Sequence, residues 1–561
     1  MIKKKISLLC IIAMLCAVNC ICKAQQIPPL KRSLQLTGNF GELRTNHFHT
    51  GLDFRAAIGT PVYAVDSGYV SRISVDAGGY GNALYITHPS GTTSVYAHLN
   101  SYSPKIEKIL TEKQYQLKYY AVNLTFSPDE IKVAQGEVVA YTGNRGSSGG
   151  PHLHFEIRDT KTENLLDPIN YIKDKIKDTR SPQIKAISVI PYNGVVNNSS
   201  NKTIEQVVVE NGNKKIRTKI KAWGDILLAL KAFDYMPGMN NIYGVHYVKL
   251  YKDEELIYSS HIDTLSFETG RQINSYIDTE EWHKERSLFM LSYISQANRL
   301  NFYEEDEIKN RGIITIDEER IYKFRYEVAD YFGNKDICTF EIEGEESKIS
   351  QSQPKLKYNK EQSIEELKFK ITIPAYALYD DYTIEYTKAD TLLKDNYSVI
   401  HTLEPYYAGV DKNCKLSIKI DVDTLSDKSK YYIASIHSVG KNIGKISQEY
   451  ISTYQEGWLT TQVKTFGKYV VKADLTNPYL KYHGVADGEI RITVKDSESG
   501  LKYFIGEIDG QFVLFTYDIK DKIARYKIDK EKFKQGVIHT IKFVAIDNCG
   551  NKNESKFKLT Y

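Results

Sequence analysis

Between residues 61 and 99 the chain alternates short apolar runs with turn residues. Residues 62–65 precede Asp66-Ser67-Gly68, 69–75 precede Ala77-Gly78-Gly79, 83–87 precede Pro89-Ser90-Gly91, and 94–99 follow. This spacing predicts an antiparallel β-sheet. The rhythm breaks over 101–132, where residues 114–124 fit a helix or a strand equally well, and resumes at 133–140. A Gly/Ser-rich loop, 143–150, leads into a last strand. There Leu153, Phe155 and Ile157 alternate with His152, His154 and Glu156, so a strand presents the two sets on opposite faces. By the same rule Tyr96 and His98 share a face, as do His49 and Asp53, with Gly51 between them allowing a bend. Asp167-Pro168-Ile169-Asn170-Tyr171 closes this first unit, expected over 36–175.

Histidines thin out after about residue 178, and Lys, Tyr and Ile take over. An internal repeat is visible. Asp178-Thr179-Arg180-Ser181-Pro182 parallels Asp474-Leu475-Thr476-Asn477-Pro478, and Gly244 with Asp253 parallels Gly500 with Asp509. Asp330, Gly333, Asn334 and Lys335 likewise parallel Asp547, Gly550, Asn551 and Lys552. Each copy is expected to be an Ig-like β-sandwich closed by an Asp…Gly-Asn hairpin turn, over 178–343 and 473–561. The first copy carries an insertion at about 261–311. A polar linker, 344–362, and a β-rich domain, 363–472, lie between the copies. The predicted fold class is mainly β: an antiparallel sheet domain followed by β-sandwich domains.

Composition narrows the function. At 561 residues the chain exceeds one core, and its 42 tyrosines favour strands. A net charge of +4 gives no case for nucleic-acid binding. Lys3, Lys4 and Lys5 before an apolar stretch, 6–17, predict a signal peptide over 1–24. That stretch is too short for a stable anchor, and no later segment reaches membrane-spanning length. The expected location is therefore outside the cytoplasm, in the periplasm, cell envelope or medium. Four cysteines fall in the signal. Cys338, Cys414 and Cys549 remain, and are expected to be buried apolar residues rather than a disulfide framework.

Six of the 13 histidines fall within 47–154. Lone ones such as His47 and His88 read as ordinary hydrogen-bonding residues. The grouped ones, with Asp53, are ligand types that zinc accepts. The motifs His49-x-Gly-x-Asp53, Tyr96-Ala97-His98-Leu99 and Gly150-Pro151-His152-Leu153-His154 resemble those of the lysostaphin-type zinc metallopeptidases of peptidase family M23. Gly81-Asn82 and 133–143 are similar too. The resemblance covers 36–175 and implies one zinc per chain held by His49, Asp53 and His154. It places His98 and His152 near the reacting centre and implies peptidoglycan cross-bridge peptides as substrate. Three protein ligands leave a fourth position for water, and His98 and His152 are then candidates for proton transfer and oxyanion stabilisation. The alternatives are a non-catalytic wall-binding or activator module, or a zinc endopeptidase acting on extracellular proteins. The 101–132 segment, unusual for the family, is expected to overhang the cleft. The C-terminal β domains are expected to offer surfaces to protein or envelope partners.

Overall fold

The structure is a computed structural model and describes residues 26–348, 355–438 and 440–561. The expected signal peptide and its four cysteines lie outside these residues. The chain is mainly β. Among the described residues no helix is long and apolar enough to cross a membrane. Cys338, Cys414 and Cys549 are buried free thiols.

The first unit is built on an antiparallel sheet. Its central order is Leu36–Gly38, Leu52–Arg55, His152–Asp159, Thr92–Ala97, Asn82–Thr87, Gly68–Val75 and Val122–Thr125. A smaller sheet joins Pro61–Tyr63, Val138–Tyr141 and Ser101–Tyr102. The strand His152–Asp159 lies in the middle and is covered on both faces. Leu153, Phe155 and Ile157 are fully buried on one side. Each contributes on the order of 1.5–3 kcal/mol of apolar burial. Register does the rest: His154 stands opposite Asp53 on one neighbour and opposite Ala97 on the other. Gly51 permits the close entry into Leu52–Arg55, since a Cβ there would meet the Phe155 carbonyl oxygen at 2.2 Å.

The undecided 101–132 segment contains a helix, Pro104–Leu117, and then the strand Val122–Thr125. Ile106, Leu110 and Gln114 recur at helical spacing and form its buried face, and Pro104 sits at its first turn. Lys118, in the left-handed region at φ 50°, ends it.

Beyond residue 178 the two copies of the repeat differ in shape. The last folds as two four-stranded sheets. In the first, the strands join in one continuous eleven-stranded sheet. Its long strands Gln183–Val196 and Ile220–Phe233 carry register shifts at Ile184/Ala186 and Pro191/Asn193. Such bulges bend a strand so that it can pass from one layer to the next. Between the copies lie two five-stranded sheets. The first unit and first copy are fused: Leu165–Leu166 pairs with Thr264–Leu265, and one apolar core runs from Leu30 to Ile342.

Candidate metal and catalytic site

Sheet register and two loop entries bring five polar side chains to one place. The Asp53 Oδ1 atom lies 2.9 Å from His154 Nδ1, 3.1 Å from His49 Nε2 and 3.4 Å from His152 Nε2. His49 Nε2 and His154 Nδ1 are 3.1 Å apart. The His98 ring stands 4.8 Å from that of His152 and 5.8 Å from that of His154. All five residues predicted from the sequence therefore converge.

One expectation about faces is corrected. Tyr96 and His98 do not point the same way. Tyr96 is buried in the apolar core against Phe155, and its hydroxyl receives a hydrogen bond from Val65 N–H at 3.0 Å. The strand ends at Ala97, and His98 adopts φ 58°. That left-handed turn breaks the alternation and swings the imidazole to the site side.

The surroundings fix each ring. His49 donates from Nδ1 to the Asn39 carbonyl at 2.6 Å, leaving Nε2 as its lone-pair nitrogen. His98 donates from Nδ1 to the Arg145 carbonyl at 2.8 Å, and His152 from Nδ1 to the Gly150 carbonyl at 2.8 Å. His154 Nε2 faces Glu156 Oε1 at 3.0 Å. Glu156 is fully buried and is the hub of a network not anticipated from the sequence. Thr50 and Tyr80 hydroxyls each donate to Oε1 at 2.5 Å, and Arg158 grips Oε2 through Nη2 at 2.6 Å and Nε at 2.8 Å. The available signal was Glu156's place two residues after His154, on the same strand face.

The charge balance is unusual for buried groups. Burial alone would raise the Asp53 pKa, but the three histidines around it hold it well below the usual carboxylate range. Burial opposes a charge on His154 as well, yet hydrogen bonds and charge from Asp53 and Glu156 push its pKa up to about 9. The pocket thus favours positive charge between those carboxylates. Burial, helped by His154 and His152, pushes His98 down to about 3 and keeps it neutral.

His49 Nε2, Asp53 Oδ1 and His154 Nδ1 form a triangle with sides of 2.9–3.1 Å. Tetrahedral zinc with bonds near 2.1 Å needs ligand atoms about 3.4 Å apart. Two imidazole nitrogens, one carboxylate and a field favouring a cation therefore fit zinc. The Glu156 contact to the far nitrogen of His154 is the kind of outer partner that orients a metal-bound histidine.

The site opens into a cleft of about 700 Å³. One rim is the loop of Ser147, Ser148 and Gly149, and another is Arg44, His47 and Phe48. The opposite wall comes from Leu265, Ser266, Phe267, Gly270 and Arg271, within the insertion of the first repeat copy. No residue of 101–132 lines the cleft, which corrects the expectation that this segment overhangs it. Its helix turns instead toward the last domain, with Tyr115 5.7 Å from Phe512. The cleft wall is held from behind by the middle domain. Arg271 donates to the Lys464 carbonyl at 2.9 Å, and Arg299 pairs with Asp411 at 2.6 Å. The last domain reaches the loop beside the site: Arg145 pairs with Asp518 at 3.4 Å, and Lys520 donates to Asn144 Oδ1 at 3.0 Å.

The site lies within a stretch that matches a known family. Residues 47–168 match the model of Peptidase family M23, and residues 353–474 match that of a Zu5-like domain. The DD-carboxypeptidase/endopeptidase Mpg of Neisseria meningitidis serogroup B (strain ATCC BAA-335 / MC58) is 37% identical over 116 residues, 21% of this chain and 21% of the relative. Lysostaphin of Staphylococcus simulans is 27% identical over 128 residues, 22% of this chain and 21% of the relative. The match thus spans about a fifth of the length of these curated relatives. The solved catalytic domain of that lysostaphin is 25% identical and covers 25% of this chain and 92% of its own, with a TM-score of 0.18.

Proposed function

We propose that this chain, which carries a Peptidase family M23 domain over residues 47–168, is an exported zinc metalloendopeptidase that hydrolyses amide bonds in peptidoglycan cross-bridges. The observation that carries the reading is the convergence of His49, Asp53, His98, His152 and His154 on one open cleft. A module that only binds cell wall has no need of that full set. The printed names of the relatives, a DD-carboxypeptidase/endopeptidase and lysostaphin, support wall peptides as the substrate class.

His49, Asp53 and His154 would hold the zinc, which supplies Lewis acidity toward the scissile carbonyl and lowers the pKa of a bound water. The remaining work falls to the chain. His98 is neutral, its Nδ1 proton is committed to Arg145, and its Nε2 is free to accept the proton of the attacking water and return it to the leaving amine. His152, with Nδ1 held by the Gly150 carbonyl and Nε2 beside Asp53 Oδ1, is the ring assigned to the developing oxyanion, toward which Nε2 donates when the ring carries both protons. The Leu265–Arg271 segment supplies the wall along which the peptide would lie.

The test is digestion of purified muropeptides beside a panel of extracellular proteins, each with and without chelator. Chelator-sensitive cleavage of muropeptides alone is expected. Cleavage of the protein panel instead would move the substrate class, and no cleavage of either would leave a binding or activator module.

A further inference from the structure

The two repeat copies share more than a sequence pattern. In the first, Asp178, Asp234 and Asp330 each bring one carboxylate oxygen within 4.8 Å of the other two, and in the last Asp474, Asp496 and Asp547 do the same. The positions correspond. Asp178 and Asp474 precede the first strand of their copies, Asp234 directly follows the long strand Ile220–Phe233 and Asp496 the strand Glu489–Lys495, and Asp330 and Asp547 open the closing hairpin. Asp234 and Asp496 add a third pair to the two visible in the sequence.

The hydrogen bonds correspond as well. Asp178 accepts from Arg180 N–H at 2.9 Å, and Asp474 from Thr476 N–H at 3.0 Å. Asp330 accepts from Asn334 N–H at 2.9 Å, and Asp547 from Asn551 N–H at 2.8 Å. The Asn334 amide ties back to the Asp178 carbonyl and the Asn551 amide to the Asp474 carbonyl. One oxygen of most of these carboxylates is thus used to shape the loop, and others are left over. Oδ2 of Asp178, Oδ1 of Asp234, Oδ1 of Asp496 and Oδ2 of Asp547 are buried and accept no hydrogen bond. Asp234 is 4% exposed, Asp178 8% and Asp547 0%.

Three clustered carboxylates, two of them in each copy with a buried oxygen left unused, are costly unless something positive lies among them. Among the described residues, no Lys, Arg or His forms an ion pair with any of the six. An all-oxygen donor set selects a hard cation over zinc. With calcium–oxygen bonds of about 2.3–2.6 Å, ligand oxygens can lie up to about 5 Å apart, whereas magnesium limits them to about 4 Å. We propose that each repeat copy binds one calcium ion at this corner, through Asp178, Asp234 and Asp330 in the first and Asp474, Asp496 and Asp547 in the last. Both corners stand where the chain leaves a preceding domain: Asp178 after the peptidase unit and Asp474 directly after the strand Gly467–Ala473. Calcium there fixes a domain joint, so the two ions set how the accessory domains bear on the catalytic cleft.

The test uses the full chain, zinc-loaded and prepared free of calcium. Titration with calcium chloride, followed by calorimetry and thermal unfolding, should give two sites per chain and a Tm that rises with calcium concentration. Magnesium at equal concentration should give a smaller rise. Asp234→Asn and Asp547→Asn should each remove one site, and the double variant both, with zinc content unchanged. Without calcium, each variant should melt no lower than the unsubstituted chain, because a like charge has been removed; this guards against misfolding as the cause. No calcium-dependent heat or Tm change, an equal response to magnesium, or a double variant that keeps two calcium ions would each overturn the proposal.

Discussion

The peptidase site and the aspartate corners both bury carboxylates, and they balance them by opposite means. Around Asp53 the chain supplies three imidazoles, and around Glu156 a bidentate guanidinium and two hydroxyls, so every charge has a partner on the protein. At the corners the spare oxygens accept no hydrogen bond, and the carboxylates that carry them are clustered with one another. Mixed nitrogen and oxygen donors suit the first to a borderline metal, the role proposed for it, and oxygen-only donors suit the second to a structural hard cation. The contrast teaches that the cost of a buried charge carries information. Where it is met by side chains, a network exists to hold a reacting geometry. Where it is unmet, an ion is the partner we propose.

The comparison can be broken at several points. The largest effect is expected for His154→Ala, which removes a donor lying between two carboxylates. Zinc and turnover should both fall below detection by elemental analysis and muropeptide assay. Glu156→Gln keeps the shape but withdraws the charge behind His154. Zinc affinity, read by chelator competition, should drop about 10- to 100-fold. Arg158 loses its charged partner in this variant, so Tm should fall too and affinity is compared per folded molecule. Unchanged affinity would deny Glu156 its supporting role.

Asp518→Ala frees Arg145, whose carbonyl positions His98. The pair is only partly shielded and is worth about 1 kcal/mol or less, so turnover should change by at most roughly fivefold with zinc content constant. Asp167 is the intermediate case, a single buried carboxylate without a cation. Burial, reinforced by the like charge of Asp263, pushes its pKa up to about 7. Its folded pKa lies above the unfolded value, near 4, so its stabilising contribution is present below about pH 4 and is lost as pH rises through 7. Asp167→Asn should remove that decline, which Tm measured between pH 4 and pH 8 would reveal. A variant with the same pH slope as the unsubstituted chain would contradict the assignment.

Much of the peptidase unit could be read from the chain because its chemistry is local and periodic. Strand alternation separated His152, His154 and Glu156 from Leu153, Phe155 and Ile157, and the motifs named all five converging residues. What escaped depends on geometry that no spacing records. The face of His98 turns on one left-handed residue after a strand end. Thr50, Tyr80 and Arg158 gain meaning only when cross-strand register delivers them to Glu156. The far wall of the cleft comes from a segment more than a hundred residues downstream, and the 101–132 excursion serves a different neighbour. At the corners, Asp234 and Asp496 stand in sequences without resemblance to each other, so the third member of each cluster is visible only in three dimensions. The continuous sheet of the first copy was not legible because the bulges in Gln183–Val196 are not written as a turn signal.

The most direct measurement pairs zinc stoichiometry with turnover on single preparations of the His98→Ala chain. In the proposed mechanism His98 holds no metal and serves the reacting proton, so the variant should keep one zinc per chain and its fold while losing roughly 10²–10⁴ in rate on muropeptides. A variant that loses its zinc, or one that retains full turnover, would contradict the division of roles on which the account of the site rests.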